Sequence, residues 1–224
     1  PILRLFLPLG ISFYTFQSTG YLIDVYREKI EPETNPAKYA LFVSFFPQII
    51  QGPISFYDQL AHQLYEEHSF SYKNLKYGAL LMLWGYLKKM VIADRAVSLI
   101  NTVTADYRQY NGTVILITVL VYALQLYADF SGGIDISRGF AEILGIQMAE
   151  NFKRPYFAVN INDYWRRWHI TLGAWMKNYV FYSLAMSKRF LKMGKDLKKK
   201  YGANPVGAHV AKVLPTGIAS FITF

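Results

Sequence analysis

The chain has 224 residues, of which 53% are hydrophobic and only 17% charged, with 24 Lys and Arg against 15 Asp and Glu for a net charge of +9. A soluble domain averages about 25% charged residues, so this composition argues against an ordinary soluble enzyme. Aromatics at 17% exclude intrinsic disorder, and the lack of cysteine excludes a disulfide scaffold. The length fits a single domain, taken here as 1–224. Because the sequence opens on Pro1 and closes inside an apolar run at Phe224, it reads as a piece truncated at both ends.

In chain order, residues 5–23 predict a helix interrupted near Pro8-Leu9-Gly10, and residues 27–38 a polar loop with two prolines. Residues 39–51 predict a helix stopped by Gly52-Pro53, and residues 58–76 an extramembrane or interfacial helix and loop. An apolar helix over 78–87 is expected to break at Lys88-Lys89 at an interface, with an amphipathic run to Ile100 and a loop over 101–112. Residues 113–130 predict a membrane span, 134–146 a shorter, re-entrant amphipathic helix, and 147–162 irregular chain with Pro155. Residues 163–186 predict one long aromatic helix, 201–207 a Gly/Pro loop, and 208–224 a further hydrophobic helix. Nothing predicts strands as the main architecture.

Uncharged stretches of 19, 19 and 20 residues lie between Arg4 and Asp24, Lys38 and Asp58, and Arg108 and Asp129. A bilayer core needs about 20 apolar residues per helix. The first two carry Pro8, Gly10, Gln17, Pro47, Gln48, Gln51, Gly52 and Pro53, and broken helices at membrane depth occur where backbone is buried in protein or lines a wet cavity. The expectation is an all-α, polytopic membrane helical bundle with broken or re-entrant helices and a polar interior.

Residues 188–200, KRFLKMGKDLKKK, hold seven basic residues and one acid, which is +6 of the +9. A nucleic-acid binder concentrates charge this way, but no soluble module is present to display it, so no nucleic-acid partner is expected. A short basic loop beside apolar segments belongs on the cytoplasmic side, next to anionic lipid head groups. The alternative is a solvated helix face with no partner.

Four segments are candidates for chemistry. In Asp163–Leu172, helical spacing puts Trp165, Trp168, His169 and Leu172 on one face, with Arg166 and Arg167 away from its centre. An ionisable side chain inside a membrane is a site candidate by default, and histidine suits general-base work; the alternative is an interfacial aromatic belt. In Gln125–Asp135, Asp129 is expected to end the helix, with Ser131-Gly132-Gly133 lining a cavity or capping a helix end at the membrane surface. In Glu150–Tyr156, Asn151, Lys153 and Arg154 could hold a carboxylate, a phosphate or a phosphopantetheine-like group, or form an ordinary loop. The segment Gly85–Asp94 is a basic break for which structure is the default explanation. His62, His68 and His209 have no metal-ligand spacing, and no metal site or nucleotide fingerprint is present in the sequence.

Taken in order, Ser44-Phe-Phe-Pro-Gln-Ile-Ile-Gln-Gly-Pro53, Lys88-Lys-Met-Val-Ile-Ala-Asp94, Asp129-Phe-Ser-Gly132, Asn151-Phe-Lys-Arg-Pro-Tyr156 and Trp165-Arg-Arg-Trp-His-Ile-Thr-Leu172 resemble the membrane-bound O-acyltransferase family, in the branch containing alginate O-acetyltransferase. The resemblance runs from about Leu7 to the end. It implies a bundle with a funnel and tunnel through a cell membrane, crossed several times. It also implies transfer of an acyl group, preferably acetyl, from a cytoplasmic thioester donor (acetyl-CoA or an acyl carrier) to a hydroxyl of a cell-envelope polysaccharide. No bound cofactor is expected; the thioester is a co-substrate.

The family uses two histidines. One corresponds to His169, and the other, usually given the main catalytic role, lies in a Trp-His-Gly stretch that this sequence does not contain. His209 does not match it. Gly133 and Ile134 depart from the family's usual Tyr-Ser. By this resemblance His169 is catalytic and faces a sealed polar passage, Trp165 and Trp168 shape it, and Arg154, Arg166 and Arg167 attract anionic groups. Asp129, Ser131 and Asn151 complete the substrate-binding set. Membrane lipid, the acyl donor and an extracytoplasmic acyl-transfer protein are the expected partners. The rival is a transporter or flippase of an anionic lipid-linked intermediate, which would use the same broken helices and basic loop.

Overall fold

The computed structural model describes residues 10–49 and 51–224. The interruption expected at Pro8-Leu9 lies outside them, as does Ile50. The described residues are helical with no strand: α1 (Ile11–Tyr26), α2 (Pro36–Ser44), α3 (Phe46–Ile49), α4 (Tyr57–Tyr65), α5 (Tyr72–Tyr86), α6 (Asp94–Ala105), α7 (Gly112–Ile143), α8 (Ile161–Arg167), α9 (Ile170–Trp175), α10 (Tyr182–Ala185), α11 (Lys188–Tyr201) and α12 (Pro205–Thr223). Side-chain oxygens set several starts: Asn35, Ser71, Asn111, Asn160, Ser187 and Asn204 each cap a helix by accepting backbone N–H bonds.

The frame is the antiparallel packing of α5 against α7. Gly78 and Gly85 on α5 meet Gly139 and Gly132 on α7, with the same seven-residue step on each helix. A Cβ on Gly85 would stand 2.6 Å from the Gly132 carbonyl oxygen. Small residues thus let the two backbones approach directly, as in membrane helix pairs.

No break occurs at Lys88-Lys89. The helix widens into a π-helical turn over Leu87–Ala93 and runs on as α6. The wider turn lets both adjacent lysines reach α7. Lys88, 7% exposed, donates to Ser131 Oγ at 3.0 Å and pairs with Asp135 at 2.6 Å, while Lys89 bridges Asp94 and Asp129.

These pairings also explain why α7 is continuous for 32 residues instead of ending at Asp129 and restarting as a re-entrant piece. Asp129, expected to end the helix, has Lys89 opposite it, Asp135 has Lys88, and Ser131 and Gly132 are buried at the contact. Likewise, α2 begins at Pro36, earlier than the loop expected over 27–38, and a non-helical Phe45 separates it from α3. The expected loop at 101–112 is helical through Ala105.

Two apolar clusters flank this frame. Phe42, Phe45, Leu60, Ala61, Ala141, Ile146 and Met148 join α2, α4 and the end of α7. Ile54, Trp175 and Tyr179 join α1 to α9 and the π-helical turn Met176–Phe181 that follows it. On α1, Tyr179 donates to the buried Asp24 carboxylate at 2.8 Å, and Lys29 ties Asp24 to Asp58.

Residues 188–200 are a helix, α11, not a loop. Phe190, Met193, Gly194 and Leu197 form its half-buried stripe against α12, leaving the basic residues outside. Among the described residues, two helices are long and apolar enough to cross a membrane: α7 and α12, with 17% and 22% of their apolar windows buried.

Candidate acyl-transfer site

The segment expected as one helix over 163–186 is divided. Asn160 caps α8 by accepting from the Asp163 N–H at 2.9 Å, and the Asp163 carboxylate accepts from the N–H of Val159, the residue before the cap, at 3.2 Å. Arg167 pairs with Asp163 one turn on at 2.9 Å and holds that carboxyl below its usual range.

The helix then stops, because the 151–153 loop captures its backbone. Phe152 and Trp168 form an isolated antiparallel bridge. Around it, the Lys153 N–H donates to the Arg167 carbonyl at 2.9 Å and the Ile170 N–H to the Asn151 carbonyl at 3.0 Å. His169 absorbs the reversal with left-handed backbone, φ 46°, at a cost of about 1–2 kcal/mol for a residue with a Cβ.

The break corrects the expected single-face stripe. Trp165 is 60% exposed, whereas Trp168 is half-buried in an aromatic cluster with Tyr127, Phe152, Tyr156 and Tyr164. His169 turns the other way. Its ring meets Phe130 of α7 edge-on at 4.8 Å and lies over Phe152 at 6.5 Å. Its Nδ1 is 3.2 Å from Asn151 Oδ1. The residue is outside both apolar helices, and burial pushes its imidazole down to about 4, so the ring is neutral at pH 7.

Asn151 is fully buried. Its Oδ1 accepts from the Thr171 N–H at 2.9 Å and the Thr171 hydroxyl at 3.0 Å. The same hydroxyl accepts from the Ile54 N–H at 3.0 Å, fastening the site to the α3–α4 connection. Asn151 Nδ2 is buried with no hydrogen-bond partner among the described residues.

Of the expected site residues, the structure brings Asn151, Trp168 and His169 together. Ser131 is buried on α7 against Lys88, one residue beyond the Phe130 that touches His169, and Asp129 faces Lys89. Arg154, at φ 48°, and Arg166 are exposed, and Arg167 is held by Asp163. One open surface hollow is lined by residues 159–163, Arg166 and Arg167, and a second by side chains of α11 from Arg189 to Tyr201; His169 lines neither. Thr171, Phe130 and Lys88 were not singled out as site residues from sequence. Thr171 sits two positions after His169 in the same motif, Phe130 stands in Asp129-Phe-Ser-Gly132, and Lys88 is a cation in an apolar run, so each has a local signal.

Residues 32–195 match the model of MBOAT, the membrane-bound O-acyltransferase family. A probable alginate O-acetylase AlgI of Pseudomonas syringae pv. tomato is 38% identical over 178 residues, covering 80% of this chain and 34% of that protein. A peptidoglycan O-acetyltransferase of Helicobacter pylori is 36% identical over 208 residues, covering 81% of the chain and 40% of its own length. A teichoic acid D-alanyltransferase of Bacillus subtilis is 31% identical over 180 residues, 77% of the chain and 44% of that protein. The chain thus spans between a third and a half of the length of these relatives. With a family match over most of its residues, this chain belongs to the membrane-bound O-acyltransferase family.

Proposed function

We propose that the chain is part of a multi-pass membrane O-acyltransferase that moves an acyl group, preferably acetyl, from a cytoplasmic thioester to a hydroxyl of a cell-envelope polysaccharide. In that reaction the hydroxyl oxygen bonds to the acyl carbon as the carbon–sulfur bond breaks. The hydroxyl proton passes to a histidine nitrogen and then to the departing thiolate. The relatives named for alginate, peptidoglycan and teichoic acid support an envelope polymer as acceptor; an extracytoplasmic acyl-transfer protein is the further partner of this proposal.

The observation that carries this function is the inward-turned, neutral His169, held by Asn151 and flanked by Phe130 and Phe152. A neutral imidazole can accept a hydroxyl proton, and aromatic walls keep water from the thioester. His169 orients and polarises a substrate, with Trp168 shaping the passage and Trp165 at its rim. The exposed Arg154 and Arg166 attract anionic groups of the donor or its carrier.

A bilayer setting is supported by the exposed apolar side chains of α7, among them Leu116, Ile117, Leu120 and Leu124, and those of α5, Leu80, Leu83 and Trp84. The basic face of α11 would rest on the anionic cytoplasmic leaflet. The test is acyl transfer by the full-length enzyme in vesicles, scored beside movement of unmodified substrate. His169→Ala should lower transfer by about 10²–10⁴-fold. Undiminished turnover removes His169 from the chemistry, and movement of unmodified substrate in place of transfer assigns the chain to transport.

A further inference from the structure

The proton arrangement at His169 can be read from its neighbour. A backbone N–H can only donate, so the Thr171 N–H at 2.9 Å requires an oxygen at the Asn151 atom it meets. This fixes which way the amide faces. The Thr171 hydroxyl is committed in the same sense: it accepts from the Ile54 N–H, so its own hydrogen is free to go to Asn151 Oδ1. Nδ1 of His169 therefore faces an oxygen that only accepts, and it must carry the hydrogen.

We propose that Asn151 is a positioning residue whose side-chain oxygen locks His169 in the Nδ1–H tautomer and leaves Nε2 as the lone pair that meets the acceptor hydroxyl. This rests on the catalytic role proposed above for His169, but the tautomer itself can be measured without activity. Three features make the lock rigid. Asn151 has no exposed surface, its carbonyl is also bonded to the Ile170 N–H, and His169, with left-handed backbone, has its Nδ1 3.2 Å from the amide oxygen.

Charged groups on the surrounding elements are paired elsewhere, apart from Arg154 and Arg166, which are exposed. Asp129 and Asp135 on α7 pair with Lys89 and Lys88, Lys153 on the loop with Glu150, and Arg167 on α8 with Asp163. The amide is thus the polar group in direct contact with the imidazole.

The experiment is nitrogen NMR of the full-length enzyme carrying ¹⁵N-histidine, with the His169 signals assigned by their loss in His169→Gln. The expected result is a pyrrole-type Nδ1 and a pyridine-type Nε2. A pyrrole-type Nε2, or an average of the two tautomers, overturns the proposal. Asn151→Asp supplies a second readout, because a carboxylate can accept the same three donors while favouring imidazolium. The acid limb of its pH–rate profile should rise by ~1–3 units, with KM little changed; an unmoved limb in a folded variant counts against the lock. Full turnover in His169→Ala would instead refute the catalytic role while leaving the tautomer result standing.

Discussion

The α5–α7 pair and the 151–175 segment are both polar inside, yet they are built differently. In the first, every buried polar group named above has a partner, the backbones touch through glycines, and both helices keep regular or π-helical geometry. In the second, a left-handed histidine, a left-handed arginine and an unpartnered amide nitrogen sit within 19 residues, Asn151 to His169. Satisfied polar contacts at a helix interface hold a frame together. Strain and an idle donor around a half-buried imidazole have no structural return, and such outliers cluster at functional sites.

If this contrast is right, damage to the frame lowers stability and damage to the site lowers turnover. The largest stability effect should come from Lys88→Ala, which leaves the largely buried Asp135 without its 2.6 Å partner and with only Arg138 at 3.9 Å; losing one member of a buried pair costs about 3–5 kcal/mol, an upper bound here. Removing both, as Lys88→Met with Asp135→Leu, should recover most of it, and thermal unfolding of the full-length protein in detergent measures the cycle. A recovery that fails would mean the pair does more than hold α5 to α7.

Gly85→Val comes next, at about 1–3 kcal/mol, because its Cβ meets the Gly132 carbonyl oxygen and cannot move aside; the same unfolding assay reads it. The smallest effect is pH-dependent. His169 has a folded value near 4 against 6.5 unfolded, so the unfolded chain binds the extra proton first. The contribution of a neutral His169 is complete above about 6.5 and is lost as pH falls toward 4. Midpoints recorded across that interval should fall less in His169→Gln than in wild type.

Helical class, the apolar helix after Asn111, the irregular stretch around Pro155 and the His169 motif are all legible in the sequence, because each depends on local composition or capping. The continuity of α7 is not. Asp129, Gly132 and Gly133 look like a helix end until Lys88 and Lys89 are placed opposite by a π-helical turn that no local pattern announces. The split between α8 and α9 is hidden for a similar reason. Trp165, Trp168, His169 and Leu172 fit a helical period, but Asn151 to Lys153 supply the backbone partners that end the helix, and such pairing is invisible to a periodicity window. Likewise, the basic run 188–200 reads as a loop by charge alone, while its stripe of Phe190, Met193, Gly194 and Leu197 packs it as a helix on α12.

The most direct test of the central claim is single-turnover transfer of a labelled acetyl group from thioester to polymer by the full-length enzyme, wild type against His169→Ala, with thermal midpoints matched at neutral pH. The account predicts a loss of about two orders of magnitude or more in the transfer rate with the fold intact. Equal rates in the two proteins would contradict it.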